Sequence, residues 1–263
     1  PASYVILYIM KLFSAFLISL LFLFLAAIRF PLYAFADYSK AYNEYTYNYT
    51  LYRQAYSDYQ VSKSTYATYR TLASQKDAVL KLRAVLTARN QLMFVYYDLL
   101  TEKLVATPEI STEYKGTFYN IKESEKKWLI ENQTKVNAAS TLGDLNGVAK
   151  EFENRYPQMD TETKFAITTI LLSRDADAAI TVEKLSQTLS EKLVEINAAG
   201  EDATWAQRGM ANVQSKIELY KQKFEEAKKE EELLKTQRKL MEANQYLRDA
   251  INFMFEIVKG VTG

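Results

Sequence analysis

The sequence contains neither cysteine nor histidine among its 263 residues. Without cysteine the chain has no disulfides and no thiolate chemistry, so an exported form must be held together by side-chain packing. Without histidine it lacks the commonest metal ligand and the commonest general base. Glycine and proline are scarce, at 7 and 4 residues. Because few positions interrupt a helix and strong helix formers are abundant, the composition predicts an all-α protein.

Positive and negative charges nearly balance, with 33 basic and 32 acidic side chains. A nucleic-acid-binding protein normally gathers a basic excess on one face, so we expect no nucleic-acid partner. The segment 144–147 (DLNG) lacks the ligand register of a calcium loop. With no catalytic, nucleotide or metal motif in the chain, we expect a non-enzymatic protein without a metal or other cofactor.

An uncharged hydrophobic run extends from Leu12 to Ile28, between Lys11 and Arg29. Such a run at the start of a chain is typical of an export segment and predicts an extracytoplasmic protein, secreted or held in the cell envelope. A run of this length is also close to the minimum for a bilayer span, so an uncleaved membrane anchor is the alternative. A buried helix of a soluble core is less consistent with the absence of any polar stripe.

With Met10 as the start, residues 10–36 contain the basic, apolar and small-residue regions of a signal peptide. Ala34 and Ala36 provide the small-x-small pattern for cleavage before Asp37. The nine residues before Met10 are then upstream read-through or a fragment boundary, and the mature domain is 37–263.

The scarce prolines and glycines divide residues 37–263 into about four helices. The predicted helices are 37–105, 107–139, 160–199 and 204–259, with a short helix at 146–155. The predicted helix-end signals are Thr107 with Pro108, Asp160, Gly200, and a capping box of Thr204 with Gln207. Short connections predict antiparallel neighbours, and the first helix alone would measure on the order of 100 Å. We therefore expect an elongated antiparallel bundle or coiled coil.

Apolar residues at coiled-coil spacing support this expectation. The predicted seams are Val79, Leu82, Leu86, Met93, Leu100 and Leu104; Val182, Leu185, Leu189, Leu193 and Ile196; Ile217, Tyr220, Phe224, Ala227 and Leu234; and Leu247, Ile251, Met254 and Val258. Trp128 and Trp205 are expected to be buried. Asn48 and Asn132 each begin a glycosylation sequon, which matters only in a eukaryotic host.

Tyrosines alternate at steps of four and three along the first predicted helix, in the heptad pattern of a packed seam. They are Tyr38, Tyr42, Tyr45, Tyr49, Tyr52, Tyr56 and Tyr59, and Tyr66 continues the frame. If the first and last helices are antiparallel neighbours, this stripe packs inside the bundle against 241–258, which is rich in methionine and phenylalanine. Alternatively the stripe is exposed and binds a partner helix, a second copy of the chain or a glycan.

Two functions remain open from the sequence. The first is an exported structural or interaction protein that acts through helix–helix or aromatic-stripe contacts with a protein partner or with itself. The second is an extracytoplasmic helical bundle that binds or senses a small molecule or glycan beside the tyrosines.

Overall fold

The computed structural model describes residues 32–200 and 202–262, so the hydrophobic run Leu12–Ile28 lies outside the described residues. The described chain contains six α-helices and no strand, which confirms the all-α class. They are α1 (Leu32–Tyr69), α2 (Leu72–Ala106), α3 (Thr112–Ala138), α4 (Leu142–Ala198), α5 (Thr204–Lys228) and α6 (Leu233–Thr262). None of these six is both long and apolar enough to cross a membrane.

The chain divides into two compact units, and the boundary falls within α4. The N-terminal unit, Tyr33–Ile170, contains α1, α2, α3 and the first part of α4. The C-terminal unit contains Leu171–Gly263, with the rest of α4 followed by α5 and α6. Each unit has its own buried apolar residues.

In the N-terminal unit α2 and α3 are antiparallel neighbours. Asn90 Nδ2 donates to Asn132 Oδ1 at 3.0 Å. Eight residues further along α2, Asp98 accepts from Lys126 Nζ at 2.8 Å, and Lys126 precedes Asn132 in α3. The apolar core between α2, α3 and α4 contains Leu82, Leu86, Val136, Leu145 and Val148 at one level, and Tyr97, Leu100, Leu104, Phe118, Ala166 and Ile170 at another.

The C-terminal unit is a three-helix arrangement with heptad-spaced cores. Contacts run in opposite directions along α5 and α6, since Lys216 pairs with Asp249 at 2.9 Å and Glu226 lies 3.8 Å from Lys239. The core is Ala179, Val182 and Leu193 of α4, Ala206, Val213, Ile217 and Tyr220 of α5, and Ala243, Leu247, Ala250, Met254 and Ile257 of α6. Ala250 and Ile257 take the core positions predicted for Ile251 and Val258, a one-residue rotation of the stripe.

The two tryptophans lie in different units and neither is fully buried, contrary to expectation. Trp128 is half-buried against Phe152, with ring centroids 5.9 Å apart. Trp205 is 43% exposed, and its ring covers the backbone of Gly260 so closely that a Cβ added at this glycine would clash with it. A surface ring lying on a glycine removes apolar area from water without entering the core.

The chain reverses at Arg70 and Thr71, so α1 and α2 replace the single helix predicted at 37–105. Arg70 adopts a φ of 49°, in the left-handed region. Thr71 Oγ1 accepts from the Ser74 N–H, and Ser74 Oγ accepts from the Thr71 N–H, each at 3.1 Å. This capping box uses serine where Glu or Gln is usual, which hides it from a sequence pattern.

The helix predicted at 107–139 begins instead at Thr112, as α3. Thr107 and Pro108 lie in the turn between α2 and α3, not at a helix start. Ser111 caps α3 by accepting a backbone N–H three residues later at 3.1 Å. The intervening Ile110 is buried in the core, which requires the chain to turn before the helix begins.

Helix α4 continues through Pro157, where the sequence predicted one helix to end and Asp160 to cap the next. Proline removes one helical hydrogen bond and disfavours a helix interior. The buried side chains of Phe152 and Met159, on either side of Pro157, pack in one core cluster. Their common burial offsets the proline and keeps the helix continuous.

Helix α4 begins at Leu142, before the short helix predicted at 146–155, and it includes that segment. Thr141 Oγ1 accepts from the Asp144 N–H at 3.1 Å, and Asp144 Oδ2 accepts from the Thr141 N–H at 2.9 Å. Hydrogen bonds to the Asp144 carboxylate, first from the Thr141 side chain and then from the backbone N–H groups of Ser140 and Thr141, hold the pKa of this carboxyl below its ordinary value. A Thr-x-x-Asp capping box therefore begins the helix.

A turn at 229–232 replaces the middle of the helix predicted at 204–259, although no glycine or proline is present there. The hairpin places the apolar stripes of α5 and α6 against each other, whereas a continuous helix would leave both facing water. Leu234, predicted to continue the first stripe, lies just beyond the turn and is 74% exposed.

Two helix-end signals were predicted between α4 and α5, and one of them is confirmed while the other is wrong. Gly200 has a φ of 88° just after Ala198, so the predicted left-handed glycine is confirmed. The predicted capping box of Thr204 with Gln207 is wrong. Thr204 is the first helical residue, and its N–H donates to Asp202 Oδ1 at 3.0 Å.

Candidate interaction surface on the tyrosine helix

The heptad tyrosines of α1 form two rows with different exposure. The inner row, Tyr38, Tyr45, Tyr52, Tyr59 and Tyr66, is half-buried. The outer row, Tyr42, Tyr49 and Tyr56, is 50%, 44% and 47% exposed. The sequence predicted both rows to share one fate, buried or exposed. In the structure the inner row is half-buried and the outer row is exposed.

The inner row packs against α2. Each step of seven residues forward in α1 corresponds to a step of seven backward in α2, which defines an antiparallel pair. Along the row, Tyr38 lies under Lys103 with 4.3 Å from ammonium to ring centroid, Tyr45 lies 5.4 Å from the Tyr96 ring, and Tyr59 packs on the cluster that contains Leu82. The sequence predicted 241–258 as the neighbour of this row, whereas the contacts of the inner row are with α2.

Small side chains complete the inner face of α1. Ala41, Asn48, Ala55 and Ser62 each follow an inner-row tyrosine by three residues, and Ala41 and Ser62 are buried. Ser62 also donates to the Asp77 carboxylate across the pair. Because interaxial distance depends on the side chains at the contact, a large row beside a small one lets α1 approach α2 closely. The buried seam is therefore tyrosine with a small residue, not tyrosine with tyrosine.

The outer row is supported by the inner one. Tyr38 with Tyr42, Tyr45 with Tyr49, and Tyr52 with Tyr56 each have ring centroids 6.2 Å apart. Aromatic pairs at this distance attract one another, and each outer ring gains a fixed neighbour. The result is three exposed rings at a spacing of about 10.5 Å along the helix, as seven residues of α-helix require.

The surface around the outer row is rich in small polar groups and carries charges of both signs, including the Arg53 guanidinium 6.0 Å from the Tyr49 ring centroid. The residue that follows each outer tyrosine in the chain is small and polar: Asn43, Thr50 and Ser57. The charged residues of α1 balance, with Asp37, Glu44 and Asp58 against Lys40, Arg53 and Lys63. A neutral surface of this kind offers rings and hydroxyls to a partner, not a field that attracts polyanions.

Burial shifts the pKa values of three tyrosines and one arginine in or beside the seam. It raises the pKa of Tyr45 and of Tyr59, and it raises the pKa of Tyr96 to about 12. Near Tyr52, the guanidinium of Arg89 stacks on Phe152 at 3.6 Å, and burial lowers its pKa to about 10. At neutral pH Tyr45, Tyr59 and Tyr96 are therefore neutral and Arg89 is cationic.

The predicted cleavage residues Ala34, Ala36 and Asp37 all lie within α1, which begins at Leu32. The helix thus includes five residues that precede the predicted mature start at Asp37. The structure places the cleavage segment on the same helix as the tyrosine rows, and cleavage itself stays a prediction.

A buried ionic pair ties α3 to α4 in the N-terminal unit. Glu125 is 1% exposed, and its carboxylate accepts two hydrogen bonds from Arg155, one from Nε at 3.1 Å and one from Nη2. Nearby, the buried Tyr97 donates to Glu162 at 3.2 Å. Thirty residues separate Glu125 from Arg155 along the chain, so no local pattern could reveal the pair. We interpret it as an alignment device between helices.

The same unit buries one of the two predicted sequon asparagines. Asn132 is buried, and its amide oxygen accepts from Asn90. The folded chain therefore hides this asparagine from a glycosylating enzyme. Asn48 is half-buried and donates to the Glu44 carbonyl at 2.8 Å.

In the C-terminal unit a polar group joins all three helices. Tyr220 donates to the main-chain carbonyl of Asp175 at 2.9 Å, and Asn244 donates to the Asp175 carboxylate at 2.9 Å. Burial raises the pKa of Asp175, partly opposed by the hydrogen bond from Asn244. The buried surroundings of Asp175 therefore disfavour its ionised form.

We expect Asp175→Asn to raise the melting temperature at pH 7, with a smaller gain at pH 4. Because the folded state raises this pKa, the carboxyl favours folding below its unfolded pKa and loses that contribution as pH rises through the folded pKa. The amide is neutral at every pH and can still accept from Asn244. Thermal melts of both proteins from pH 4 to 8 measure the difference, and a gain that is independent of pH would contradict the assignment.

Comparison with known proteins gave no match to any family model, any curated protein or any solved structure. The functional argument therefore depends on the surfaces and contacts of this chain itself.

Proposed function

We propose that the chain is an exported, non-enzymatic interaction protein that binds a protein partner through the outer row of α1. The observation that carries this proposal is the set of three exposed rings at equal heptad spacing, each backed by an inner-row ring. Exposed aromatic side chains concentrated on one face are typical of sites that bind other molecules.

Support by the inner row favours tight binding. Tyrosine offers a large contact area with only two side-chain torsions to fix, which keeps the entropic penalty of binding low. The contact of each outer ring with its inner neighbour restricts that motion before a partner arrives. Tyrosine is also enriched among the residues that dominate binding energy in protein interfaces.

The chemistry of the surface indicates a protein partner. Tyrosine surrounded by serine, threonine and asparagine is the composition of antibody binding loops, in which rigid rings anchor and small polar groups adapt. Nucleic acids need a cationic groove beside the aromatics, and α1 has no net charge. A partner with an apolar, weakly charged face complements this surface.

The proposed location is the cell envelope or exterior, either released or anchored through Leu12–Ile28. The support is the signal-peptide pattern of residues 10–36. In an anchored form the tyrosine rows would start close to the bilayer, and in a released form they would be free to bind soluble partners.

The experiment is site-specific photo-crosslinking of the full chain in an exporting host. A photoreactive phenylalanine analogue replaces Tyr49, and the same analogue replaces Tyr119 of α3 as a control that is equally exposed. We expect Tyr49 to capture one defined envelope or extracellular protein and Tyr119 not to capture it. Mass spectrometry identifies the product.

Substitution then measures the contribution of the rings. The triple variant Tyr42→Ser, Tyr49→Ser, Tyr56→Ser should weaken binding of the captured protein by more than about 100-fold, since interface tyrosines commonly contribute 1 kcal/mol or more each. Tyr47→Ser, Tyr69→Ser, Tyr119→Ser removes three tyrosines outside the row that are at least as exposed as those in it, and it should change the affinity less than about threefold. Equal losses in both variants, or crosslinks only to glycan or lipid, would refute a protein partner at this row.

A further inference from the structure

Helix α1 carries a second heptad pattern on its exposed side, which includes the outer row. Each outer tyrosine is followed four residues later by a polar side chain, and three residues separate that side chain from the next tyrosine. The steps of four and three are those of the a and d positions of a coiled coil. The members of this outer seam are Tyr42, Thr46, Tyr49, Arg53, Tyr56 and Gln60. All six are exposed, so α1 presents a complete helix-pairing pattern to solvent.

The other heptad pattern of α1 is covered by a helix of the same chain. There the inner-row tyrosines alternate in steps of three and four with the small residues Ala41, Asn48, Ala55 and Ser62. This inner seam packs against α2, through ring contacts and through the hydrogen bond from Ser62. The outer seam has the same periodicity on the same helix. A helix from another protein would therefore pack on the outer seam in the way that α2 packs on the inner one.

The repeat distance of the outer row favours a helix over other extended partners. Its rings recur every 10.5 Å or so, which is about the rise of seven helical residues. A β-strand presents one face every two residues, or about 6.7 Å, so its side chains fall out of step with the rings. A polyproline helix repeats every three residues, or about 9.3 Å, and also drifts. A partner α-helix with its own heptad repeat meets every ring in the same way.

Arg53 determines the charge that the partner must carry at the middle of the outer seam. Its guanidinium lies 6.0 Å from the Tyr49 ring centroid, and none of the ion pairs among the described residues includes it. An apolar partner that covered this cation would remove its hydration without compensation, whereas a carboxylate would pair with it. Polar residues at core positions also fix the register of a coiled coil, at a cost in stability. The complementary helix therefore has an acidic residue opposite Arg53.

We propose that the outer seam of α1 binds one amphipathic helix of a partner protein, about three heptads long, with an acidic side chain opposite Arg53. The length follows from the extent of the seam, since Gln60 lies 18 residues after Tyr42, or about 27 Å along the helix. This inference rests on the proposed function, because it describes the protein that the outer row binds. It adds the secondary structure of the bound segment, its repeat and the sign of its central charge.

The test maps the crosslinked residues of the partner. The photoreactive phenylalanine analogue replaces Tyr42, Tyr49 or Tyr56 in three separate full-length chains, each produced in the exporting host. We expect all three to capture the same protein, at three successive sites about seven residues apart in its chain. Sites about three residues apart, or sites in separate segments of the partner, would overturn the helix and leave the proposed function standing. Capture of a second copy of this chain would also overturn the inference, and no captured protein at any position would overturn both.

Reversal of the central charge is the second measurement. Arg53→Glu should weaken binding of the captured protein by at least about tenfold. Lys40→Glu makes the same charge change at an exposed position of α1 outside the outer seam, and it should change the affinity less than about threefold. Glutamate is a good helix former, and circular dichroism checks that both variants keep their helix content.

A compensating change in the partner completes the test. Replacing the acidic residue at the site mapped from position 49 by arginine should restore the affinity for Arg53→Glu to within about threefold of the original pair. Equal losses from Arg53→Glu and Lys40→Glu, or no recovery in the charge-reversed pair, would overturn the acidic residue opposite Arg53.

Discussion

Replacing Arg155 by alanine will lower the free energy of unfolding of the N-terminal unit by about 3–5 kcal/mol, because it leaves a buried carboxylate without its partner. Glu125 is 1% exposed, and its two hydrogen bonds come from Arg155.

The measurement is denaturant unfolding with Trp128 as the reporter. Trp205→Phe leaves Trp128 as the only tryptophan, and Trp128 lies in the same unit as the pair. Lys135→Ala is the matched control, because Lys135 pairs with Glu151 between the same two helices at 2.7 Å but on the surface. An exposed pair contributes about 0–1 kcal/mol.

A double substitution separates the pair from its isolated charge. Glu125→Leu with Arg155→Leu removes both partners and should be within about 2 kcal/mol of the parent, since buried ion pairs often exchange for apolar side chains at little loss. If Arg155→Ala alone is no more harmful than Lys135→Ala, then the pair is hydrated in solution and does not align α3 with α4.

Replacing Tyr220 by alanine will destabilise the C-terminal unit by about 3–5 kcal/mol, the range for large aromatic side chains removed from a core. Tyr220 is buried among all three helices and stacks on Phe224 with ring centroids 5.6 Å apart. Its hydroxyl donates to the Asp175 carbonyl. Tyr220→Phe keeps the ring and loses that hydrogen bond, so it should cost only about 1 kcal/mol.

Trp205 reports this second unit in a Trp128→Phe background. Phe255→Ala is the control, because Phe255 is an exposed ring on α6, and surface substitutions usually change stability by less than about 0.5 kcal/mol. Similar destabilisation by Tyr220→Ala and Phe255→Ala would contradict the placement of Tyr220 at the centre of the three helices.

Helix content followed from local properties, whereas helix ends did not. The scarcity of breakers and the heptad patterns of α2, α5 and α6 depend on nearby residues, and they predicted the all-α class. Pro157 was expected to end a helix, yet burial of Phe152 and Met159 on both sides keeps α4 continuous. The reversals at Arg70–Thr71 and 229–232 lack glycine and proline, because the pairing of apolar faces selects them.

The candidate surface shows the same division. The heptad repeat of tyrosines is visible in the sequence, and it identifies α1 as the unusual helix. Exposure is not visible, because positions four residues apart are chemically identical tyrosines. A difference between Tyr45 and Tyr49 arises only when α2 covers one side of α1. Ala41 and Ser62 were the available signal, since small residues mark the side that approaches a neighbour closely.

The sequence by itself determined the helical class, the balance of charge, the hydrophobic run Leu12–Ile28 and the periodic placement of tyrosine, since each depends on composition or on neighbours along the chain. Only the tertiary structure decided where the chain reverses, which tyrosines face water, and that Glu125 meets Arg155. These outcomes depend on which apolar faces exclude water together, and residues far apart in the chain compete for that burial.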